Sequence, residues 1–406
     1  MSDTLAERSP ADAASSEIAE GWRRFTDGLA AAGAAIYARE NAGRDAAQQA
    51  EITESMVSAL LAGLMSFTSL DRDRPEFTPI LNSGMRRGAA NADTVYRQAL
   101  ISGAGRYRIA GRRGTVGILH FQVLSGNMGI TEIEIRDELI VPAAAPGENG
   151  DFEILLSAER PAGYDGLWLQ LDPAQSEQFI AVRSVAKDWS TEIDPQIAIE
   201  PLHRSIRKVR DNPTGLMDRL QLVPTYIQGV TEELMAQQRR QLASCETPNE
   251  LFDVTNALLT FAGQAYTHGL IEIGADEALI AECDAPTGLF YWSATLLDFA
   301  YSTLEFPFRQ CAINSDIGAF DSDGKLRFVV CDQDPGVLNW LDKNGYGKVQ
   351  IRCRWFGSAH PTLRTKVVPL KELRDHLPAD TATVSPEERE ATLRKRSLGA
   401  QMRQRW

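Results

Sequence analysis

The chain has 406 residues, of which 43% are hydrophobic and 24% charged, and its formal net charge is −13 at pH 7. These fractions are typical of soluble globular proteins, and the length exceeds what one ordinary hydrophobic core holds. The acidic balance argues against nucleic-acid and anionic-membrane partners, because both require a basic protein surface.

Several classes of site have no sequence support. The five cysteines form no C-x-x-C pair, which is expected of reduced thiols in the cytoplasm. None of the five histidines has the spacing of a zinc-binding motif, and no glycine-rich phosphate loop or G-x-S-x-G sequence occurs. Residues 1–14 lack the apolar core of a signal peptide, and the longest apolar window, Val57–Met65, is too short to cross a bilayer. We therefore expect no cofactor, no metal and no membrane partner.

The first half of the chain combines two helix patterns with a block of strand patterns. Apolar residues recur every three or four positions from Ile18 to Ile36 and from Ile52 to Leu64, which predicts two helices. Short segments rich in β-branched and aromatic residues then predict the strands Thr94–Leu100, Gly105–Arg112, Thr115–Leu124, Thr131–Ile140, Asp151–Ala158 and Gln178–Val185. Their close spacing favours an antiparallel sandwich over alternating βαβ units.

The second half repeats this order. Helices are predicted at 213–243 and 247–266. Three strands follow, at Gly288–Asp298, Lys325–Cys331 and Lys348–Trp355. The run Asp321–Gly324 is interpreted as a hairpin turn, in preference to a calcium loop. A capping box at Ser385 begins a basic helix, which we interpret as a solvated or subunit-bridging arm in preference to a nucleic-acid contact.

We predict an α+β fold with antiparallel β-sandwich or jelly-roll-like sheets decorated by helices, a helical N-terminal segment and a C-terminal helix. The predicted units, in chain order, are a disordered tail at 1–16, a helical segment at 17–75, a first β-rich domain at 76–205, a helical insertion at 206–272, a second β-rich domain at 273–375 and a basic C-terminal helix at 376–406.

The run from Asn91 to Arg97 concentrates hydrogen-bonding side chains directly before a predicted strand. Such residues often lock a turn and the start of a strand. In the functional interpretation, Asp93 is a general acid/base, Tyr96 is its proton partner, and Asn91 and Arg97 contact the ligand. His120 lies in a predicted strand and is either a core histidine or a third catalytic group.

A second cluster contains Asp188, Trp189 and Glu192. If this segment is one helical turn, both carboxylates share a face beside the indole. Paired carboxylates of this kind do acid/base work or bind a sugar, and a plain helix start is the structural alternative.

A third cluster lies in the second β-rich block. Arg352 and Arg354 project from one face of their predicted strand, so they need an anionic partner, which is Asp298, Asp332 or a ligand carboxylate. The candidate ligand contacts of this block are Tyr291, Trp292, Arg309, Asn339, Trp340 and Arg354. Core packing is the structural alternative for the aromatic residues.

These motifs resemble two bacterial domains of unknown function that occur as a pair. Asn91-x-Asp93-Thr94-x-Tyr96 followed by Arg106-Tyr107 resembles the domain catalogued as twelve-fifty-four, and Asp188-Trp189-x-x-Glu192 is similar to the central segment of such proteins. The series Tyr291-Trp292, Asp298, Asp323-Gly324, Pro335, Asn339-Trp340-Leu341 and Arg352 resembles the domain catalogued as twelve-fourteen. The resemblance covers roughly residues 85–360 and implies self-associating β-sandwich or jelly-roll-like domains decorated by helices, with no agreed catalytic residue. The first domain departs from the pattern, because it is shorter and follows a long helical segment.

The sequence leads us to expect a cytoplasmic, cofactor-independent enzyme that acts on a small, largely apolar molecule in the catabolism of a steroid, terpene or aromatic compound. Hydrolysis, hydration/elimination and isomerisation all remain open. Arg97 or Arg354 would hold a carboxylate or enolate, and Trp189 and Trp340 would line an enclosed cavity. The alternative is a non-catalytic carbohydrate-binding or assembly module with exposed tryptophans. We expect a homo-oligomer with a small-molecule ligand.

Overall fold

The computed structural model describes residues 10–144, 147–207, 214–245, 247–254, 262–285, 288–357 and 361–403. In this part of the chain the helices are α1 Pro10–Glu40, α2 Ala46–Thr68, α3 Gly215–Leu220, α4 Leu222–Ala243 and α5 Pro386–Met402. A 3₁₀ helix covers Leu370–His376. The strands form four sheets, two in each half of the chain.

The first half of the chain builds sheets I and II. Its strands are β1 Thr78–Leu81, β2 Thr94–Ile101, β3 Tyr107–Arg112, β4 Ile118–Ser125, β5 Glu134–Ile140, β6 Asp151–Ser157, β7 Leu167–Gln170, β8 Gln178–Val185 and β9 Gln196–Pro201. Sheet I has the order β1-β2-β8-β4-β5 and sheet II the order β7-β6-β3-β9. The two sheets pack face to face, and the ring centroids of Phe121 and Phe152 lie 6.1 Å apart between them.

The second half builds sheets III and IV. Its strands are β10 Leu251–Val254, β11 Gln264–Glu272, β12 Glu277–Asp284, β13 Leu289–Leu297, β14 Ala312–Asn314, β15 Lys325–Cys331, β16 Trp340–Asp342, β17 Lys348–Gly357 and β18 Arg364–Pro369. Sheet III has the order β10-β11-β17-β13-β14 and sheet IV the order β16-β15-β12-β18. All strand pairs of the four sheets are antiparallel except β6 with β7 and β15 with β16.

Sheets I and III face each other in the middle of the molecule. On β17, Ile351 and Cys353 belong to the buried apolar core that includes sheet IV, and the alternate residue Arg354 points toward sheet I. Ile118 and Val185 of sheet I pack against sheet III. The sheets therefore stack in the order II, I, III, IV. The predicted α+β class, with sandwich-like sheets and helices near both ends, is confirmed.

The helices α1 to α4 pack together and bury an apolar cluster that includes Ile36, Ile52 and Val230. The helix α2 has 23 residues, and by length and composition it could cross a membrane. It extends well beyond the window Val57–Met65, so the expectation that this apolar segment is too short to cross a bilayer does not hold for the whole helix. In the structure, packing of its apolar residues against α4 accounts for this composition.

Two predicted segments differ from the structure. The helix predicted at 247–266 is wrong, because Leu251–Val254 and Gln264–Glu272 are strands, while 255–261 lie outside the described residues. Pairing of β11 with β17 outweighs the local helix-start signal. The predicted disordered tail is also wrong from Pro10 onward, since α1 begins there. Residues 1–9 lie outside the described part of the chain.

The helix α5 has the predicted capping box between Ser385 and Glu388, yet it is not a solvated arm. Arg389, Arg396 and Arg403 recur every seven residues, so they share one face, and all three are buried. The Arg396 guanidinium carbon lies 4.3 Å from the centroid of a buried indole ring, and Arg403 pairs with a buried aspartate at 2.8 Å. This face fastens the end of the described chain to both halves of the molecule.

The turn predicted at Asp321–Gly324 is confirmed. The Gly324 N–H donates to the Asp321 carbonyl oxygen at 2.9 Å, and Gly324 has a left-handed φ of 76°. The carboxylates of Asp321 and Asp323 accept hydrogen bonds from Arg327. These carboxylates are thus engaged by an arginine, which favours the turn over the calcium loop.

A buried carboxylate joins the helices to sheet III and generates a pH prediction. Glu51 of α2 accepts a hydrogen bond of 2.7 Å from the Phe299 N–H, and burial, together with nearby carboxylates, raises the pKa of Glu51 from 4.5 to about 7. Because the folded state holds this proton more tightly than the unfolded chain, stability is lost as the pH rises from about 4.5 to 7.

We expect Glu51→Gln to raise the free energy of unfolding at pH 8 by about 1 to 3 kcal/mol, since glutamine keeps the acceptor without the charge. The gain should shrink toward zero at about pH 4.5. Denaturant unfolding at both pH values measures this, and Glu134→Gln, at an exposed strand position away from Glu51, is the matched control. A gain of equal size at both pH values would contradict the assigned ionisation.

Candidate functional site

A cavity of about 210 Å³ lies between sheets I and III. The strands β2 and β8 of sheet I form one wall, and β11 and β17 of sheet III form the other. The helices α2 and α4 close one side with Ser66, Tyr226, Leu234 and Gln237. A hollow therefore lies between two stacked sheets and both halves of the chain contribute to it, but it is partly open and not the enclosed cavity expected from the sequence.

The two walls differ in chemistry. The apolar side chains come largely from sheet I and its loops, and they include Ile80, Leu81, Leu124, Met128, Ile133, Phe179 and Val185. Sheet III contributes only polar side chains, namely Gln264, Tyr266, Arg352 and Arg354. Sheet I also contributes the polar residues Thr94, Tyr96, Arg97, Gln98 and Arg183. A molecule in this cavity would therefore meet polar groups on both walls and most of its apolar contacts on the side of sheet I.

Two buried arginines dominate the wall of sheet III. Arg352 is 2% exposed and Arg354 is 5% exposed. Arg352 donates to Gln241 Oε1 at 2.6 Å and to the Tyr301 hydroxyl, and Arg354 donates to the Ala89 carbonyl oxygen. Among the described residues, Arg352 Nε and Arg354 Nη1 are buried without a hydrogen-bond partner. Both cations are thus buried against neutral oxygens, which is an energetically costly arrangement.

The charged side chains among the described lining residues are all positive. Of the described residues that line the cavity, none is Asp, Glu or His, and five are arginines: Arg87, Arg97, Arg183, Arg352 and Arg354. The carboxylates that the sequence suggested as partners lie elsewhere. Asp298 accepts the N–H of Ser302 at 2.8 Å, and Asp332 pairs with Lys343 at 2.8 Å. The third suggested partner, a ligand carboxylate, is compatible with this geometry.

Four tyrosines line the cavity, namely Tyr96, Tyr226, Tyr266 and Tyr301, and two of them lie on the facing sheets. Burial raises the pKa of Tyr266, although Arg354, Arg183 and Arg352 act in the opposite direction. Tyr266 is therefore protonated at neutral pH. The Tyr96 hydroxyl accepts a hydrogen bond of 2.9 Å from the Asn91 N–H, so its own proton remains available for donation. Asn91, Tyr96 and Arg354, all predicted from the sequence, thus meet at one cavity.

Backbone strain marks the residues that hold the two arginines. Ala89 and Tyr301 have φ values of 52° and 64°, and their backbones meet through an Ala89 N–H to Tyr301 carbonyl bond of 2.8 Å. A left-handed conformation at a residue other than glycine costs on the order of 1 to 2 kcal/mol. The Tyr301 hydroxyl accepts from Arg352, and the Ala89 carbonyl oxygen accepts from Arg354. The strained conformation of these two residues therefore helps to position both guanidinium groups.

Asp93 lies outside the cavity lining in a closed hydrogen-bond network. Trp189 Nε1 and Asn314 Nδ2 donate to its Oδ1 at 2.8 and 2.9 Å, and the Tyr291 hydroxyl donates to its Oδ2 at 2.5 Å. Burial and the Asp93 charge raise the pKa of Tyr291 well above its usual value. The network joins β2 to β13 and β14, and hence sheet I to sheet III. The acid/base role of Asp93 stays a prediction, and its carboxylate faces protein donors.

His120 lies on β4 and is paired with Arg183 of the neighbouring strand β8. Its Nε2 is 3.0 Å from Glu138 Oε2, and Glu138 also accepts from Gln122 at 2.9 Å. Burial and the neighbouring Arg183 lower the pKa of His120 to about 4, so the ring is neutral at pH 7. His120 is buried and is not part of the cavity lining, and its catalytic role also stays a prediction.

The cluster at Asp188, Trp189 and Glu192 forms one turn after β8, in which the Glu192 N–H donates to the Asp188 carbonyl oxygen at 3.1 Å, the bond of a single helical turn, and no longer helix follows. Glu192 Oε1 accepts the N–H groups of Lys187 and Asp188 at 2.9 and 3.0 Å. The Trp189 ring packs edge-on against Phe306, with 5.8 Å between centroids. All three predicted residues therefore stabilise the turn, and none lines the cavity.

Most ligand contacts predicted in the second half have structural partners away from the cavity. Arg309 pairs with Asp342 at 2.6 Å, and Asn339 Nδ2 donates to two backbone carbonyl oxygens at 2.7 Å. Trp292 is buried in the main core, and Trp340 belongs to a separate cluster on the far face of sheet IV. The expectation that Trp189 and Trp340 line the cavity is wrong.

The cavity also contains residues that the sequence did not identify, namely Arg87, Arg183, Gln264, Tyr266 and Tyr301. Arg183 carried a usable signal, because it alternates with apolar residues on β8 and shares a face with Ala181. Arg87 and Tyr301 lie in irregular segments, where no periodicity indicates which way a side chain points.

The Asp93 network yields a stability prediction. We expect Asp93→Asn to lower the free energy of unfolding by about 2 to 4 kcal/mol, because the amide places a donor opposite the existing donors. Tyr291→Phe removes one donor and should cost less. Urea denaturation measures both losses, and Asp151→Asn, at an exposed strand position, is the matched control. An Asp93→Asn protein of unchanged stability would contradict the structural role.

Comparisons with known proteins show the fold alone. No family model and no curated protein sequence matches the chain. It is similar to a solved structure described as a putative uncharacterized protein from Burkholderia cenocepacia, with a TM-score of 0.80 and 24% identity over 88% of this chain and 99% of that one. The VPA0106 protein from Vibrio parahaemolyticus gives a TM-score of 0.43 and 12% identity over 78% and 98% of the two chains, too low to support an argument. The resemblance to the paired domains of unknown function stays a prediction.

Proposed function

We propose that the protein binds a small, largely apolar molecule in the cavity between sheets I and III. The observation that best supports this is the contrast between the walls, since sheet I and its loops supply most of the apolar surface and sheet III supplies only polar groups. Ligand cavities typically combine an apolar lining with a few polar groups that orient the ligand. A steroid, terpene or aromatic compound is the proposed chemical range.

A second candidate is that the bound molecule is converted by cofactor-independent acid/base chemistry, as hydrolysis, hydration/elimination or isomerisation. It is favoured by Tyr96, which lines the cavity and whose hydroxyl keeps a proton to donate. Asp93 and His120 support it less, because neither lines the cavity. Loss of turnover in Tyr96→Phe, with ligand binding retained, is the result expected of this candidate.

The carbohydrate-binding alternative depends on exposed rings at Trp168, Trp189 and Trp340. Trp189 and Trp340 are 4% and 5% exposed and Trp168 is half-buried, so this alternative has less support than binding in the cavity. We also propose a cytoplasmic location, which the five free cysteines support. A homo-oligomeric state remains a proposal that rests on the sequence resemblance.

A larger side chain on the cavity wall reduces the cavity volume and so tests the proposed function. Ala181 lies on β8 at the cavity, and Ala198 is an exposed strand residue of sheet II. We expect Ala181→Leu to weaken ligand binding at least about ten-fold, because the added carbons occupy the ligand's space, whereas Ala198→Leu should have no effect. Ligand-observed NMR with indole, 4-phenylbutanamide and 4-phenylbutyrate measures binding.

Two outcomes would contradict the proposed function. One is that none of the three compounds binds the wild-type protein at millimolar concentration. The other is that binding is equally strong in the Ala181→Leu and Ala198→Leu proteins, which would place the bound compound elsewhere.

A further inference from the structure

We propose that the cavity's ligand is an organic acid, a small apolar body with one carboxylate, and that this carboxylate binds Arg352 and Arg354 of sheet III. The inference rests on the proposed function, because it names the chemical class of the molecule bound in the same cavity.

The two arginines occupy the centre of a polar patch on sheet III. Strand pairing places Arg354 between Tyr266 and Ser293, and Arg352 lies one row away, between the buried His268 and Thr295. Arg354, Arg352 and Tyr266 line the cavity. Two guanidinium groups two residues apart on one strand face offer several N–H donors to one planar carboxylate.

The patch contains donors that the protein leaves unused. Arg352 Nε, Arg354 Nη1 and Thr295 Oγ1 are buried and have no hydrogen-bond partner among the described residues. A buried polar group without a partner destabilises the folded state, and a buried charge does so more strongly. A carboxylate has about four acceptor positions and one negative charge, so it would accept hydrogen bonds from these donors and balance the buried positive charge.

The other arginines of the lining are less suited to hold the ligand. Arg87 donates to Ser58 and to the Tyr226 hydroxyl at 3.2 Å. Arg97, which the sequence suggested as a clamp, donates to the Pro195 carbonyl oxygen at 3.2 Å.

Arg183 is similarly engaged, because it bonds the Gln122 side-chain oxygen. Of the two clamps predicted from the sequence, the geometry therefore favours Arg354, together with Arg352, which the sequence places on the same strand face.

Tyr266 adds a third donor beside this pair. Its raised pKa keeps the phenol protonated, and its hydroxyl donates to Gln264 Oε1 at 2.8 Å. A ligand carboxylate next to Arg354 can replace Gln264 as the acceptor, since both strands border the same space. The apolar body of the acid would then lie against sheet I and its loops, where Leu124 and Phe179 are exposed to the cavity.

A matched pair of probes tests the charge requirement. 4-Phenylbutyrate and 4-phenylbutanamide differ in the carboxylate alone, and isothermal titration calorimetry measures the affinity of each. We expect the wild-type protein to bind the acid at least about ten-fold more tightly than the amide, as a charge-assisted bidentate contact implies. Arg354→Gln should remove most of this preference and leave the affinity for the amide within about two-fold.

Two further variants control for charge and folding. Arg108→Gln removes an arginine that is 45% exposed and pairs with Glu153 and Glu200 on sheet II, so the preference for the acid should persist. Arg354→Lys keeps the positive charge without the forked geometry and should weaken binding of the acid. If Arg354→Gln does not fold, as judged by circular dichroism, Arg352→Gln and Arg354→Lys decide the question.

The outcomes separate this inference from the proposed function. Equal affinity for acid and amide, tighter binding of phenyl phosphate than of the acid, or an unchanged preference in the Arg352 and Arg354 variants would overturn the carboxylate assignment. If both probes still lose affinity in Ala181→Leu, the cavity remains the ligand site. If neither probe binds at millimolar concentration while indole does, the carboxylate assignment fails and the cavity remains the ligand site. If none of the three compounds binds, both proposals are overturned.

Discussion

One buried carboxylate holds the two central sheets at the separation that leaves a cavity between them. Asp93, at the start of sheet I, accepts hydrogen bonds from Tyr291 and Asn314 of sheet III and from Trp189 in the turn after β8. Its backbone carbonyl oxygen also accepts from Arg403 at 2.8 Å, just beyond α5. Asp93 thus fastens four distant segments, three through its carboxylate and one through its backbone carbonyl oxygen, and this joint positions the facing surfaces of β8 and β17.

The chemistry of the cavity follows from what those facing surfaces carry. Burying Arg352 and Arg354 between two sheets is unfavourable when their acceptors are neutral, and apolar residues of similar volume would make a more stable packing. The strained backbone of Ala89 and Tyr301 adds to this cost while fixing both guanidinium groups. The proposed carboxylate ligand would offset this cost, because it would supply the negative charge that both guanidinium groups lack.

Local patterns predicted much of the fold and part of the site. Period-two alternation placed Arg352 and Arg354 on one strand face, and the strands Gln178–Val185 and Lys325–Cys331 have the predicted bounds. Local patterns do not predict the order of the strands in a sheet, because that order is set by pairing between distant segments. For this reason Trp340 was expected at the cavity although it packs on the far face of sheet IV, and β11 was predicted as a helix.

The most direct test of the central claim is a crystal structure of the protein in complex with 4-phenylbutyrate. The account predicts a carboxylate within hydrogen-bond distance of Arg354 Nη1 and Arg352 Nε, with the phenyl ring against sheet I and its loops. A structure in which the acid binds outside the cavity, or in which the two guanidinium groups pair with carboxylates of the protein itself, would contradict it.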